Sequence, residues 1–283
     1  MRKKTDKALT FTVESSFYRV LGINKEGEKV VPPYEKDYAG DVPLEEKLKD
    51  LKEYLLQTGV DLKGFSVGTY VPTRHGILRM YTFPGTLKKH ELTKAVNLYI
   101  QQEISETFAD KDVVYAYAIL EREKDEPYRV VVTIIEGEVY DALVAFAAEL
   151  GLRLEVVSFE PICVINFGLL KNLPQPFSII YTDLNKILVV SYSREKILYE
   201  VFPYVFSTEG GFEETLNMLI WDIRNYIVLN DLTNLYLAGI VLEYEHLTEY
   251  FLERLPIFGI LSLEKFPERY SLLYTLGVRL LNA

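Results

Sequence analysis

The sequence predicts an α/β fold made from one half-domain used twice, with a small α+β unit inserted in the first half and a shortened second half. Three observations predict it. Short β-rich runs at 9–13, 17–23 and 29–34 are parted by tight polar turns, then comes a helical spacing of Leu44, Leu48, Leu51 and Leu55 and a strand over 64–70. From 177 the same order returns, with runs at 177–181, 187–193 and 196–202, turns at Asp183-Leu184-Asn185 and Arg194-Glu195, a helix and a strand over 235–238. Between the two copies lies a stretch that matches neither. An ordered recurrence of three strands, a helix and a strand is the mark of a duplicated unit.

The remaining elements follow in order. A β-rich run at 77–83 ends at Pro84-Gly85, and Thr86 is placed to cap a long helix with Leu92, Ala95, Val96, Tyr99, Ile100 and Ile104 inward. Strands over 113–120 and 128–135 flank the charged loop Glu121-Arg122-Glu123-Lys124-Asp125-Glu126-Pro127. Val139, Leu143, Phe146 and Leu150 are helically spaced, and Gly151 suits the left-handed position after the helix. A strand over 154–159 runs into Glu160-Pro161, and Pro174 with Pro176 marks a junction. In the second copy Phe212, Leu216, Ile220, Ile223 and Ile227 share a helix face, and a last helix is placed at 246–254. The expected division is 1–71 with 123–173 for the first half, 72–122 for the insertion and 174–264 for the second half, with 265–283 packing back on the first.

Composition narrows the function. The 283 residues carry 31 Lys plus Arg against 41 Asp plus Glu, a net charge of −10. That balance opposes a nucleic-acid-gripping role, which needs a basic footprint, and disfavours adhesion to an anionic membrane. A single cysteine, Cys163, forms no internal disulfide and reads as a small buried apolar side chain. No apolar run reaches the roughly 18 residues of a membrane helix, and no apolar core follows the basic start Met1-Arg2-Lys3-Lys4. The expectation is a soluble cytoplasmic protein with no membrane span of its own. His75, His90 and His246 stand apart from one another, so helical metal pairing is absent and no metal site is expected. No Gly-x-Ser-x-Gly elbow, P-loop or Rossmann glycine pattern occurs, which leaves no catalytic residue to name. Trp221 is read as packing in or beside the core.

Four stretches carry a resemblance to a known family. They are residues 78–86 with 91–96; 130–135 with Glu138-Val139, Glu149-Leu150-Gly151-Leu152 and Phe159-Glu160-Pro161; Asp183-Leu184-Asn185 with Gly210-Gly211; and Leu235-Tyr236-Leu237-Ala238-Gly239. In order and spacing the chain resembles the PilM-type actin-like proteins of type IV pilus assembly, and less closely the cytoplasmic part of GspL proteins of type II secretion. The resemblance implies the duplicated actin-like (RNase H-like) fold. It also implies a cytoplasmic scaffold held peripherally at the inner membrane. Such a scaffold docks the cytoplasmic tail of a PilN-like single-pass inner-membrane protein and links it to a hexameric motor ATPase. The chain closes on Leu280-Leu281-Asn282-Ala283 without a membrane helix, so the secretion counterpart would be a separate soluble subunit or a truncated chain.

The family's nucleotide site needs two tight turns whose amides face phosphate, with glycine where backbone and phosphate approach. Here the first turn reads Thr12-Val13-Glu14-Ser15-Ser16, with Thr12 in the acidic metal-side place and Glu14 in the glycine place. A carboxylate about 4 Å from a phosphate charge costs about 4 kcal/mol at an effective dielectric near 20. The second turn keeps Asp183 but has Asn185 for glycine, and Gly239-Ile240 stands where two glycines are usual. The expectation is a pseudo-ATPase without a cofactor. The degenerate nucleotide place is Ser15, Ser16, Asp183, Asn185, Gly210, Gly211 and Gly239. The alternative is an active actin-like protein that binds ATP with magnesium and assembles in a nucleotide-dependent way. Asp183 as a hairpin-turn residue and Gly210-Gly211 as a turn into a helix remain open beside it. For the partner tail, a groove between the insertion and the first half is expected, lined by Arg79 and Tyr81 on one strand and by Tyr115 and Tyr117 on its neighbour. A half-buried sheet face without a partner is the other reading of those residues.

Overall fold

The computed structural model describes residues 5–40, 42–109, 111–207 and 212–282, with backbone only at 212 and 213. Among them the strands form two five-stranded sheets and one three-stranded sheet. The first half opens with the antiparallel meander β1 (Lys7–Val13), β2 (Phe17–Asn24) and β3 (Lys29–Asp37), followed by α1 (Leu44–Gln57) and β4 (Phe65–Val71). The insertion carries β5 (Gly76–Phe83), α2 (Lys89–Glu103), β6 (Val113–Ile119) and β7 (Tyr128–Glu136). The first half then closes with α3 (Gly137–Glu149), β8 (Leu154–Phe159) and α4 (Glu160–Leu170).

The second half repeats this order as β9 (Phe177–Thr182), β10 (Lys186–Tyr192), β11 (Ile197–Pro203), α5 (Phe212–Leu229), β12 (Leu235–Gly239), α6 (Glu245–Arg254), β13 (Ile257–Ile260) and α7 (Ser271–Asn282). The sheet orders β3-β2-β1-β4-β8 and β11-β10-β9-β12-β13 are the same order drawn twice. Where the first half holds 76–136, the second has only a 3-10 turn at Ile240–Glu243 between β12 and α6.

Burial explains the layering. Strands β1 and β9 sit central in their sheets and are buried on both faces, as strands covered from two sides are. The core between the sheets joins Ala8, Leu21 and Ile23 of the first to Tyr181, Leu188 and Val190 of the second, through Cys163 and Phe167 of α4 and Leu272 and Leu273 of α7. Helices α1 and α3 cover the outer face of the first sheet through Leu51, Leu55, Leu143 and Phe146. In the same way α5 covers the second through Leu216, Ile220, Ile223 and Ile227, and α6 through Leu247 and Phe251. The small sheet has its own core, with Leu92, Val96 and Ile100 of α2 on Val130, Val132 and Ile134 of β7.

Several expectations need correction. The insertion does not end at 122, because β7 is the central strand of the small sheet in the order β5-β7-β6. The charged loop is a hairpin between β6 and β7, and a hairpin keeps both strands in one sheet, so the boundary falls after Glu136. Thr86 caps nothing: α2 starts at Lys89, and the Glu91 carboxylate accepts from the Lys88 N–H at 2.7 Å. Trp221 is not core but 66% exposed on the outer side of α5. Helices α4 and α7 and strand β13 are additional elements; α7 lies against β1, β2, β4 and α4.

Gly239 shows why one residue type is required. Its φ is +91°, and a Cβ there would sit 2.1 Å from the Thr182 carbonyl oxygen. Gly151 also has positive φ, +69°, but a Cβ would meet nothing within 4 Å. Gly151→Ala is expected to cost about 1 kcal/mol of unfolding free energy, and Gly239→Ala more than about 3 kcal/mol, in paired denaturant melts.

Candidate functional site

Two tight turns face one another between the halves. In the first, joining β1 to β2, the Glu14 N–H donates to the Phe17 carbonyl at 2.8 Å; in the second, joining β9 to β10, the Asp183 N–H donates to Lys186 at 2.9 Å. Side chains bridge them directly. Asn185 Nδ2 donates to Ser15 Oγ at 3.0 Å and to Glu14 Oε2 at 3.3 Å. Lys186 Nζ donates to Glu14 Oε1 at 2.6 Å and lies 2.8 Å from Glu160 Oε2, at the start of α4. Lys47 of α1 closes the first turn from behind by donating to the Glu14 carbonyl at 2.7 Å and to that of Ser15.

A second network lies beside the first. Arg19 Nη2 of β2 is 2.7 Å from Asp183 Oδ1, Arg19 also pairs with Glu35, and its Nη1 donates to the Arg269 carbonyl at 3.1 Å. Arg269 in turn binds Glu35 at 2.6 Å and Glu243 at 2.7 Å. First half, second half and the segment entering α7 are thereby joined by charge.

The electrostatics follow from counting charges around Lys186. One ammonium stands between two fully buried carboxyl groups. For Glu14 burial works against ionisation, but Lys186 and the Asn185 amide outweigh it and hold the carboxyl below the ordinary range. For Glu160 burial wins: despite Lys186, and with Glu14 adding repulsion, its carboxyl is pushed up to about 7. Its Oε1 is buried and has no hydrogen-bond partner among the described residues. Burial lowers the Lys186 affinity for its proton, and Glu14 and Glu160 more than restore it. Asp183 is raised by burial, against the pull of Arg19.

Of the residues expected at a nucleotide place, Ser15, Asp183 and Asn185 come together at these turns, and Ser16 accepts from the Tyr38 N–H at 2.7 Å. Gly239 lies in register with Thr182 at the end of β12. Gly210 and Gly211 fall outside the described residues. Thr12 is a buried strand residue whose Oγ1 donates to the Tyr70 carbonyl at 3.2 Å. Sequence reading missed Arg19, Lys47, Glu160 and Lys186. The available signal was charge inside an apolar run: Arg19 in a strand otherwise made of FYRVLGIN, and Lys186 heading KILVVSY.

A groove lies elsewhere. About 560 Å³ opens between β6 of the small sheet and β8 of the first sheet, each the edge strand of its sheet. Its walls are 114–118 and 154–159, and Ile162, Leu276 and Leu280 form its apolar floor, with Arg279 and Glu155 supplying charge. Tyr115 and Tyr117 line it, at 42% and 39% exposure, from the strand edge. Alternation places Val114, Ala116 and Ala118 on the face shared with Val131, Thr133 and Ile135, which borders the groove. Arg79 and Tyr81 are not part of it. They sit on β5, separated from β6 by β7, with Tyr81 Oη donating to Glu103 at 2.6 Å and Arg79 Nε 3.4 Å from that carboxylate.

Solved structures share this architecture. The chain superposes on one from a PilM-PilN type IV pilus biogenesis complex with a TM-score of 0.72 at 14% identity, covering 99% of both chains. The fold is the actin-like one. A Bacteroides thetaiotaomicron protein with an actin-like ATPase fold matches at TM-score 0.56 and 12% identity over 95% of this chain and 96% of that one. The cytoplasmic domain of EpsL, an inner-membrane component of the Vibrio cholerae type II secretion system, matches at 0.52 and 14% over 94% and 92%. No family model and no curated protein matches the sequence at a significant level. In the actin-like fold of this chain, the two facing turns are the β1–β2 and β9–β10 hairpins of the duplicated halves, and no helix among the described residues is long and apolar enough to cross a membrane.

The Glu160 proton makes stability depend on pH. Its folded value of about 7 lies above the ordinary 4.5, so its contribution is complete below pH 4.5 and lost as pH rises through 7. Between pH 4.5 and 8, wild-type unfolding free energy is expected to fall by about 3 kcal/mol relative to Glu160→Gln in urea titrations. Lys186→Met strips both carboxyl groups of their shared partner and is expected to cost about 3–5 kcal/mol at pH 7 in the same assay.

Proposed function

We propose that the protein is a scaffold of a type IV pilus-like or secretion machine and not a nucleotide-driven enzyme. In this reading it resides in the cytoplasm and binds the tail of a PilN-like single-pass inner-membrane protein, which holds it at the membrane. The observation that carries the reading is the groove between β6 and β8. Two strands that end their sheets among the described residues and face one apolar trough can pair with an extended segment through backbone hydrogen bonds, while its side chains enter the floor. The fold likeness to a PilM-PilN complex adds support. A link to a hexameric motor ATPase completes the reading and rests on the sequence resemblance.

The pseudo-ATPase part is supported by the facing turns. In an actin-like fold a triphosphate and its magnesium lie across such turns; here Glu14, Asn185 and Lys186 fill that space with bonds to one another. The residues present do not fit the group. A phosphate entering would have to displace a buried ion pair and would meet the Glu14 carboxylate.

Pull-down with the cytoplasmic tails of the host's single-pass pilus and secretion proteins is expected to retain one of them. Ala116→Arg, an exposed residue on the groove face of β6, is expected to weaken that binding at least about tenfold while leaving the melting curve unchanged. Retention of no tail, or equal binding by Ala116→Arg, overturns the assignment of the groove.

A further inference from the structure

The buried bridge and the groove are neighbours in the chain. Phe159 and Ile162 line the groove, and between them Glu160 turns inward to Lys186 of the second half. Strand β8 passes into α4 with no intervening loop, so the groove wall and the bridge share one rigid piece of backbone. The second half touches the groove's frame at two further points. Tyr199 of β11 packs edge-on against Phe159 at 6.2 Å between ring centres, and its hydroxyl accepts from the Leu78 N–H of β5 at 3.4 Å. The wall strand β8 and the small sheet carrying β6 are therefore both braced against the second half.

We propose that the Glu14–Lys186–Glu160 bridge regulates the groove, holding β8 and β6 at their spacing while Glu160 carries a proton and loosening them when Glu160 ionises. The inference rests on reading that groove as the docking site and names its control. When Glu160 is protonated, Lys186 is matched by one carboxylate, Glu14, and the three groups pack without excess charge. When it ionises, two carboxylates face one ammonium out of water, and separating them requires β10 to move from the β8–α4 junction. The groups facing Glu160 from every side are few. Lys186 of β10 attracts its charge, and Glu14 of the first turn and Asp183 of the second oppose it. Tyr70 of β4, Tyr181 of β9 and Cys163 of α4 face it as neutral groups, and the Thr73 N–H donates to its Oε2 at 3.1 Å. Arg74 reaches this set only through its field on Glu14. His75 also feels the Glu14 charge; burial pushes its imidazole down, and it pairs with Glu136 at 2.6 Å.

The test is amide hydrogen exchange of the free protein between pH 5.5 and 8, with each rate divided by its chemical rate at that pH. In the wild type, exchange of Val113–Ile119 and Leu154–Phe159 relative to Glu245–Arg254 of α6 is expected to rise about fivefold or more between pH 5.5 and 8. Glu160→Gln, which keeps the shape and removes the titration, is expected to show no such acceleration. A flat wild-type profile, the same acceleration in Glu160→Gln, or equal loosening of α6 overturns the inference. No peptide enters this measurement, so its outcome is separate from whether a membrane-protein tail docks in the groove.

Discussion

One ammonium group buried between two carboxyl groups holds this architecture in place. Lys186 comes from the second half, Glu14 from the first turn and Glu160 from the junction of β8 and α4, so three segments meet at one charge. Removing three ionisable groups from water is costly, and the cost is tolerated only because each finds a charged neighbour and one carboxyl keeps its proton. Beside it, Arg19 does the same for Asp183 and Glu35. At this place the chain's own side chains join the two halves.

The bridge separates the molecule into a closed centre and an open side. The centre is buried and cross-linked by charge, which favours one relation between the halves over several. The open side is the trough between β6 and β8, where two sheets end in strands that pair with nothing further among the described residues. Sheet edges of this kind are normally blunted or covered, because they invite pairing. The two features fit a part whose task is to present a surface, with the fixed centre giving that surface its shape.

Much of the fold was legible in the sequence, because its strands and helices carry their own periodicity. The meanders, the α1, α3 and α5 stripes and the Gly151 terminus all follow from local pattern. What escaped has a physical cause in each case. Helix α4, reading EPICVINFGLL, is buried nearly all round and so shows no polar face for a period to reveal. The outward Trp221 defeats the assumption that a large aromatic residue seeks the core. The insertion ends 14 residues later than expected, because the hairpin around the charged loop keeps β6 and β7 in one sheet, and which sheet a hairpin joins is a tertiary fact. At the centre, the turns and the odd placement of Glu14 could be read, but its partner lies 172 residues away, a pairing that no local pattern encodes. Arg79 and Tyr81 went to the wrong edge for a similar reason, since strand order within the small sheet is a tertiary fact.

We propose that side chains stand between the halves in place of a nucleotide. Isothermal titration calorimetry of the intact protein with Mg-ATP and Mg-ADP tests it most directly. No saturable binding below millimolar concentration is expected for either ligand. Stoichiometric binding at micromolar concentration would contradict it, because it would require the Glu14–Lys186–Glu160 bridge to yield to phosphate.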